Sequence, residues 1–389
     1  MRVLQIHTNY RDLGGEGLVV DTEAGLLRAE GHDVYQFTAQ NRNSAPQSAA
    51  ALAVAPWNPA QVRKLRQVVG EFKPDIAHVH NTWYAMSPAV ISTVKHLGVP
   101  VVMTLHNYRL VCANGMLFRD GSPCEDCVGS SPWQGVRHSC YRGSTALSVV
   151  AVGTRVLHDR LGTYADVDVF VALTDFQRDV LVRGGLPRDR VVVKPNVVSD
   201  PGPRPAPPSR SNTVLYVGRL AEEKGVDVLI DGWTRDAPPG MELVIAGDGP
   251  LRPSLERAAT ASSIEFVGSV APEGVQELML TSRALVFPSK VYESFGMVVV
   301  EAFAAGLPAL VTRGGAAAEL AAELGGEWLI NSDPGSWPGA LRRLTDGTVD
   351  KVGRRARRIY EDRFAAQAGI ESLLAAYEWA TRTHTERSS

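Results

Sequence analysis

The feature that most constrains the fold is a pattern that runs twice, short β-rich runs alternating with helical segments on either side of a proline-rich break at residues 199–209. In the first half, strands are predicted at residues 2–8, 33–38, 76–80, 99–106, 167–172 and 190–193, with helices after Gly14-Gly15 and at 59–72 and 89–97. Such alternation requires crossover connections, and crossovers build parallel sheets. The break carries prolines at 201, 203, 205, 207 and 208, each of which removes an N–H donor and restricts the residue before it. It reads as a linker. Beyond it the pattern restarts, with strands at 213–217, 242–246, 264–267, 284–287 and 309–312 and a helix from Val226. The expected organisation is a first α/β domain over 1–198, a linker over 199–212 and a second α/β domain over 213–364. A closing amphipathic helix, predicted from about 365 to 381, is available to pack back on the first domain.

Lys and Arg total 40 against 42 for Asp and Glu, a formal charge of -2, so there is no global basic field and no nucleic-acid partner is expected. No uninterrupted apolar stretch reaches the roughly 18–20 residues of a membrane span, and residues 2–6 lack the pattern of a signal peptide. The expectation is a soluble, cytoplasmic protein.

Ligands of doubly wound sheets bind beyond the C-terminal ends of the strands, so residues just after strands are the candidates for chemistry. Gly14-Gly15 opens the first helix, where missing side chains let a ligand approach backbone N–H groups. His106 closes the strand predicted at 99–106. In the second half, the loop from Gly218 to Gly225 puts Arg219 and Lys224 together, a planar fork and a point charge suited to a diphosphate. Gly247-Asp248-Gly249-Pro250 forms another turn after a strand. Glu293 follows the strand at 284–287, Phe295-Gly296-Met297 opens a helix, and Glu301 falls about one turn inside it among apolar residues. A carboxylate in that position costs free energy unless polar groups meet it.

Gly14-Gly15-Glu16, His106-Asn107, Ala172 to Gln177, Lys194-Pro195-Asn196, Gly218-Arg219, Lys224-Gly225, Gly247 to Pro250 and the pair Glu293/Glu301 occur in this order along nearly the whole chain. In that ordered set the sequence resembles the GT-B retaining glycosyltransferases of family four, in a Cys-containing variant. The resemblance implies two Rossmann-like parallel-sheet domains facing across a cleft. It implies transfer of a sugar from a nucleotide diphosphate sugar, with UDP or GDP as the nucleotide, to an acceptor hydroxyl with retained configuration. Catalytic roles fall to His106, Arg219, Lys224 and Glu293. Donor binding falls to Gly15, Gly218, Gly247, Gly268, Ser294, Phe295, Gly296, Met297, Val298 and Glu301. Arg219 and Lys224 take the role of a divalent cation, so no cofactor is implied for catalysis.

The acceptor-side candidates are Gly14, Glu16, Asn81, Asn107 and Arg109, with a small molecule or a lipid-linked sugar as acceptor in polysaccharide or antibiotic assembly. Cys112, Cys124, Cys127 and Cys140 lie in a turn-rich insertion over 109–142, where a structural zinc, a disulfide and unlinked thiols all fit the spacing and His138 could replace one ligand. The basic helix over 62–69 suits either a solvated face or peripheral contact with the inner face of a membrane. A sugar-nucleotide epimerase and a non-catalytic two-domain binding protein are the alternative functions.

Overall fold

The computed structural model describes residues 1–9, 15–41, 52 and 54–388. The chain divides into two compact units, the first made of residues 1–116, 125–197 and 366–389, the second of 117–124 and 198–365.

The strands of the first unit are β1 (Arg2–Asn9), β2 (Asp33–Gln40), β3 (Ile76–Asn81) and β4 (Val101–Thr104). The antiparallel hairpin of β5 (Phe118–Arg119) and β6 (Ser122–Pro123) belongs to the second unit, and β7 (Val169–Ala172) and β8 (Val191–Val193) return to the first. The first sheet has the order β2-β1-β3-β4-β7-β8, and every pairing in it is parallel. All residues of β3, β4 and β7 are buried, as expected for Val-rich parallel strands covered on both faces. The core joins Val3, Ile76, Val102 and Val169 to Leu27 of the helix Gly15–Ala29 and to Ile370, Leu373 and Tyr377 of the C-terminal helix Ala366–Ser388.

The second unit contains β9 (Thr213–Val217), β10 (Glu242–Ala246), β11 (Ile264–Gly268), β12 (Ala284–Phe287), β13 (Ala309–Thr312) and β14 (Leu329–Ile330). Its order is β11-β10-β9-β12-β13-β14, again all parallel. The chain reverses its direction across the sheet between β1 and β3 in the first unit and between β9 and β12 in the second. Those are the switch points at which such sheets receive ligands.

Two sequence readings change in detail, and one helix was not among those expected. The strand expected over 99–106 ends at Thr104, so His106 lies in the turn beyond it. The last helix continues past residue 381 to Ser388, because its polar end is anchored: Asp168 pairs with Lys95 at 2.6 Å and with His384 at 3.2 Å. The helix Thr145–Arg160 carries no clean apolar stripe, since its buried face includes Ser148, Thr154 and His158, yet it forms behind an N-cap in which the Ser144 side chain accepts from the Leu147 N–H.

Candidate functional site

In the second unit, the loops after β9 and β12 meet at the switch point. The turn after β10 lies so close to the one after β9 that a Cβ on Gly247 would sit 1.9 Å from the Gly218 carbonyl oxygen. Only glycine fits there. Gly268 joins the same layer by accepting the Gly247 N–H at 2.7 Å. Gly225, at φ +67°, holds the loop against β12, its missing Cβ leaving room for the Pro288 carbonyl.

That packing brings Lys224 to Glu293, with Nζ donating to Oε1 at 2.6 Å. Ser289, which sequence reasoning passed over, donates to the same oxygen at 2.8 Å. Both partners of the ion pair are part-exposed, so ligand atoms can compete for either. Arg219 is exposed, and its guanidinium meets no partner among the described residues. Gly296, at φ +104°, begins the helix Met297–Ala304, and no side chain caps that N-terminus. Backbone N–H groups of a first helical turn have no intrahelical acceptors and attract anions. Phe295 is buried and meets Phe364 edge-on, which fixes the approach to the turn between Ser294 and Val298. Glu301 is half-buried beside Val299, Val300, Ala302 and Phe303, and burial pushes its carboxyl above the ordinary value. Its carboxyl finds no partner among the described residues.

In the first unit, Gly15 opens the helix Gly15–Ala29, whereas Gly14 lies outside the described residues. Glu16 accepts from the Asn107 amide at 3.0 Å, and the Asn107 carbonyl oxygen accepts from the Arg109 N–H at 3.0 Å. Asn81 donates to the Thr8 carbonyl at 3.1 Å. The Arg109 guanidinium lies over the Trp83 and Tyr141 rings, at 5.2 and 5.5 Å from their centroids. A cavity of about 60 Å³ is lined by Asn81, His106, Asn107, Arg109, Arg155 and Tyr164, among others. His106 is buried, its Nε2 lies 3.1 Å from His80 Nδ1, and burial lowers its pKa to about 3 against the opposing pull of Glu23. It is therefore neutral at physiological pH.

Behind His106 sits a group that the sequence reading did not assemble: Glu23, His78, His80 and Lys194, all fully buried. The signal was present in a carboxylate on the apolar face of the first helix and in two histidines two residues apart on one strand.

Cys112, Cys124, Cys127 and Cys140 carry unlinked thiols. No disulfide joins them, and Cys124 falls in the second unit while Cys112, Cys127 and Cys140 fall in the first. Among the described residues, one group of three or more His, Cys, Asp and Glu ligand atoms lies mutually within 4.8 Å, and it is Glu23, His78 and His80. Cys112 instead donates to the Asn114 side chain at 3.0 Å. Stoichiometric zinc in protein purified without chelator would assign the four thiols to a structural site.

Comparison with known proteins agrees with this geometry. Residues 211–346 match the family model for glycosyl transferases group 1, and residues 14–197 match that for the glycosyl transferase 4-like domain. The chain belongs to the group 1 glycosyltransferases. A Mycobacterium tuberculosis relative of this family, a GDP-mannose-dependent alpha-(1-6)-phosphatidylinositol dimannoside mannosyltransferase, is 33% identical over 171 residues, covering 42% of this chain and 42% of the relative. The chain thus spans under half the length of that curated relative. Among solved structures, Anabaena HepE in complex with UDP and glucose aligns over 97% of this chain and 99% of its own, with a TM-score of 0.65 and 16% identity. Sucrose-phosphate synthase from Thermosynechococcus elongatus aligns over 97% and 98%, with a TM-score of 0.70 and 16% identity. At such identities the structural likeness establishes the GT-B fold of this group 1 glycosyltransferase.

Proposed function

We propose that the protein transfers a glycosyl group from a nucleotide diphosphate sugar to an acceptor hydroxyl with retention of configuration. The observation that supports this reading is the Lys224/Glu293 contact at the switch point of the second sheet, with Arg219 on the same loop as Lys224 and the half-buried Glu301 in the helix that begins after Gly296. Arg219, Lys224 and the helix N-terminus take the diphosphate, which leaves the donor site no need of a metal. Glu301 accepts from the ribose hydroxyls, and Glu293 from those of the transferred sugar. As the bond from the anomeric carbon to the diphosphate breaks, negative charge grows on the leaving phosphate and positive charge on the sugar. The acceptor oxygen attacks from the same face, and its proton passes to the leaving phosphate. His106, neutral, supplies a lone pair to the electron-poor sugar.

UDP and GDP are the donor nucleotides we favour, on the strength of the UDP-bound Anabaena structure and the GDP-mannose-dependent relative. For the acceptor we favour a small sugar or a lipid-linked one. No described helix is long and apolar enough to cross a membrane. The helix Pro59–Phe72 buries its apolar residues Val62, Leu65 and Val69 and exposes Arg63, Lys64 and Arg66. Any contact it makes with an anionic membrane surface at the cytoplasmic face is therefore electrostatic.

Incubation with radiolabelled UDP- and GDP-sugars without acceptor tests the reading. Slow release of the free sugar is the expected result, whereas isomerisation of the nucleotide sugar, or no turnover with any donor, would sink it. A thermal-shift screen with UDP, GDP, dTDP and ADP identifies the base, because a ligand specific for the native state raises its stability.

Glu301→Ala is expected to lose nucleotide affinity and activity together, and Glu293→Ala to lose turnover more than affinity. The first contact is equal in ground and transition states, and the second strengthens as charge develops. Calorimetric nucleotide titrations beside steady-state rates check this; unchanged affinity in Glu301→Ala would remove Glu301 from the donor site. Because burial raises its pKa, Glu301 takes up its proton at a higher pH than an exposed glutamate does. Wild-type affinity should accordingly weaken on acidification earlier than an exposed carboxylate would allow.

A further inference from the structure

The buried charges behind His106 form a chain of contacts with a defined direction. Glu23 accepts at one oxygen. Its Oε1 accepts from Lys194 Nζ, and its Oε2 has no hydrogen-bond partner, lying 3.8 Å from His80 Nε2 and 3.7 Å from His78 Nδ1. His78 is engaged at both nitrogens, with the Tyr377 hydroxyl at 2.9 Å and the Thr104 hydroxyl at 2.7 Å. His80 Nε2 is buried and has no hydrogen-bond partner, while His80 Nδ1 meets His106 Nε2 at 3.1 Å.

The spacing of Glu23, His78 and His80 would suit a metal ion. Lys194 already supplies the carboxylate with a cation. What remains is the question of where the two ring protons sit. A bare lone pair on His80 Nε2 would face a buried carboxylate oxygen at 3.8 Å, which is repulsive at low dielectric, whereas an N–H there faces it favourably. His80 with its proton on Nε2 must accept at Nδ1, so the proton between the two rings belongs to His106 Nε2.

We infer that Glu23, through His80, fixes the tautomer of His106, keeping the proton on Nε2 and the lone pair on Nδ1. Glu23 and His80 are then positioning residues for His106, an inference that rests on the proposed transfer reaction for its consequence but not for its geometry. The consequence is that Nδ1 of the ring is an acceptor and never a second donor. The groups facing this relay are His7 on β1, at 6.2 Å between ring centroids from His80, His78 on β3, Lys194 beyond β8 and Tyr377 on the last helix. Burial lowers the pKa of His7, His78, His80 and His106 alike, so no ring in the relay is charged near neutrality.

A carboxamide inverts the relay. In Glu23→Gln the carbonyl oxygen must face Lys194, which only donates, and the NH2 group then faces His80 Nε2. That nitrogen becomes an acceptor, His80 carries its proton on Nδ1, and His106 is forced to accept at Nε2 and to hold its own proton on Nδ1. Nitrogen-15 spectra of histidine-labelled full-length protein read both tautomers directly, with the His106 signal assigned by its loss in His106→Asn. The expected result is a neutral His106 with its proton on Nε2 from about pH 6 to about pH 8, and the opposite tautomer in Glu23→Gln. With that flip, kcat should fall about 10- to 100-fold while nucleotide affinity is unchanged. A wild-type His106 carrying its proton on Nδ1 would overturn the inference even if Glu23→Gln fails to fold, and so would a folded Glu23→Gln protein with the wild-type tautomer. The spectra need no substrate, so failure of the transfer reaction leaves this result standing on its own.

Discussion

Lys194→Met is expected to cost about 3–5 kcal/mol of folding stability, measured by urea unfolding at neutral pH. The methionine fills much of the volume of the lysine stem, so the loss is electrostatic and not a cavity. Glu23 and Lys194 are each about 1% exposed, and removing one leaves the other charge buried and uncompensated. Burial pushes the Glu23 carboxyl up, but the Lys194 ammonium outweighs it, and the carboxyl sits below its ordinary value. In Lys194→Met that balance is lost and Glu23 must take up a proton to remain inside. The double variant Glu23→Leu/Lys194→Met should regain most of the loss, because replacing a whole buried pair by apolar groups is often neutral. A single variant as stable as wild type would show that water reaches the pair. The same cluster makes the wild type acid-sensitive. Below about pH 6.5 the unfolded chain protonates His7, His78, His80 and His106 while the folded chain does not, so stability falls by up to about 1.4 kcal/mol per pH unit for each.

The cluster also marks the limit of what the sequence discloses. Parallel sheets write themselves plainly into a chain, because strands buried on both faces must be continuous apolar runs, as in Val101–Thr104 and Val169–Ala172. The loops after such strands are equally visible, and Arg219, Lys224, Glu293 and Glu301 all emerge from that rule. Their mutual arrangement does not, since the Lys224/Glu293 contact spans 69 residues and depends on Gly225 packing under Pro288. The relay joins residues from the first helix, β3 and the segment after β8, with 171 residues between Glu23 and Lys194. No local pattern encodes such a pairing. The hairpin of β5 and β6 was concealed for a different reason: its sequence neighbours belong to the first unit, yet its own contacts place it in the second.

The other large effect is expected at the diphosphate. Arg219→Ala and Lys224→Ala should each remove about 2–4 kcal/mol of transition-state stabilisation, a loss of roughly 30- to 1,000-fold in kcat/KM, the scale of one preorganised donor to developing charge. The two residues stand differently in the resting protein, and that separates their signatures. Arg219 is exposed with no side-chain partner among the described residues, so its removal should leave thermal stability within about 0.5 kcal/mol of wild type. Lys224 is held by Glu293, and Lys224→Ala leaves that carboxylate without its countercharge beside the path of the diphosphate, where it repels the ligand. Lys224→Ala should therefore weaken nucleotide binding more than Arg219→Ala does, and Lys224→Ala/Glu293→Ala should bind nucleotide better than Lys224→Ala alone. Lys224→Arg should not fully rescue, because a planar fork cannot reproduce a point charge shared between one carboxylate oxygen and a phosphate. Steady-state kinetics of the four variants beside nucleotide titrations decide the matter. Near-normal rates in both alanine variants would return the loop to the role of a solvated turn, and additive losses in the double variant would deny that Glu293 and Lys224 act as a pair.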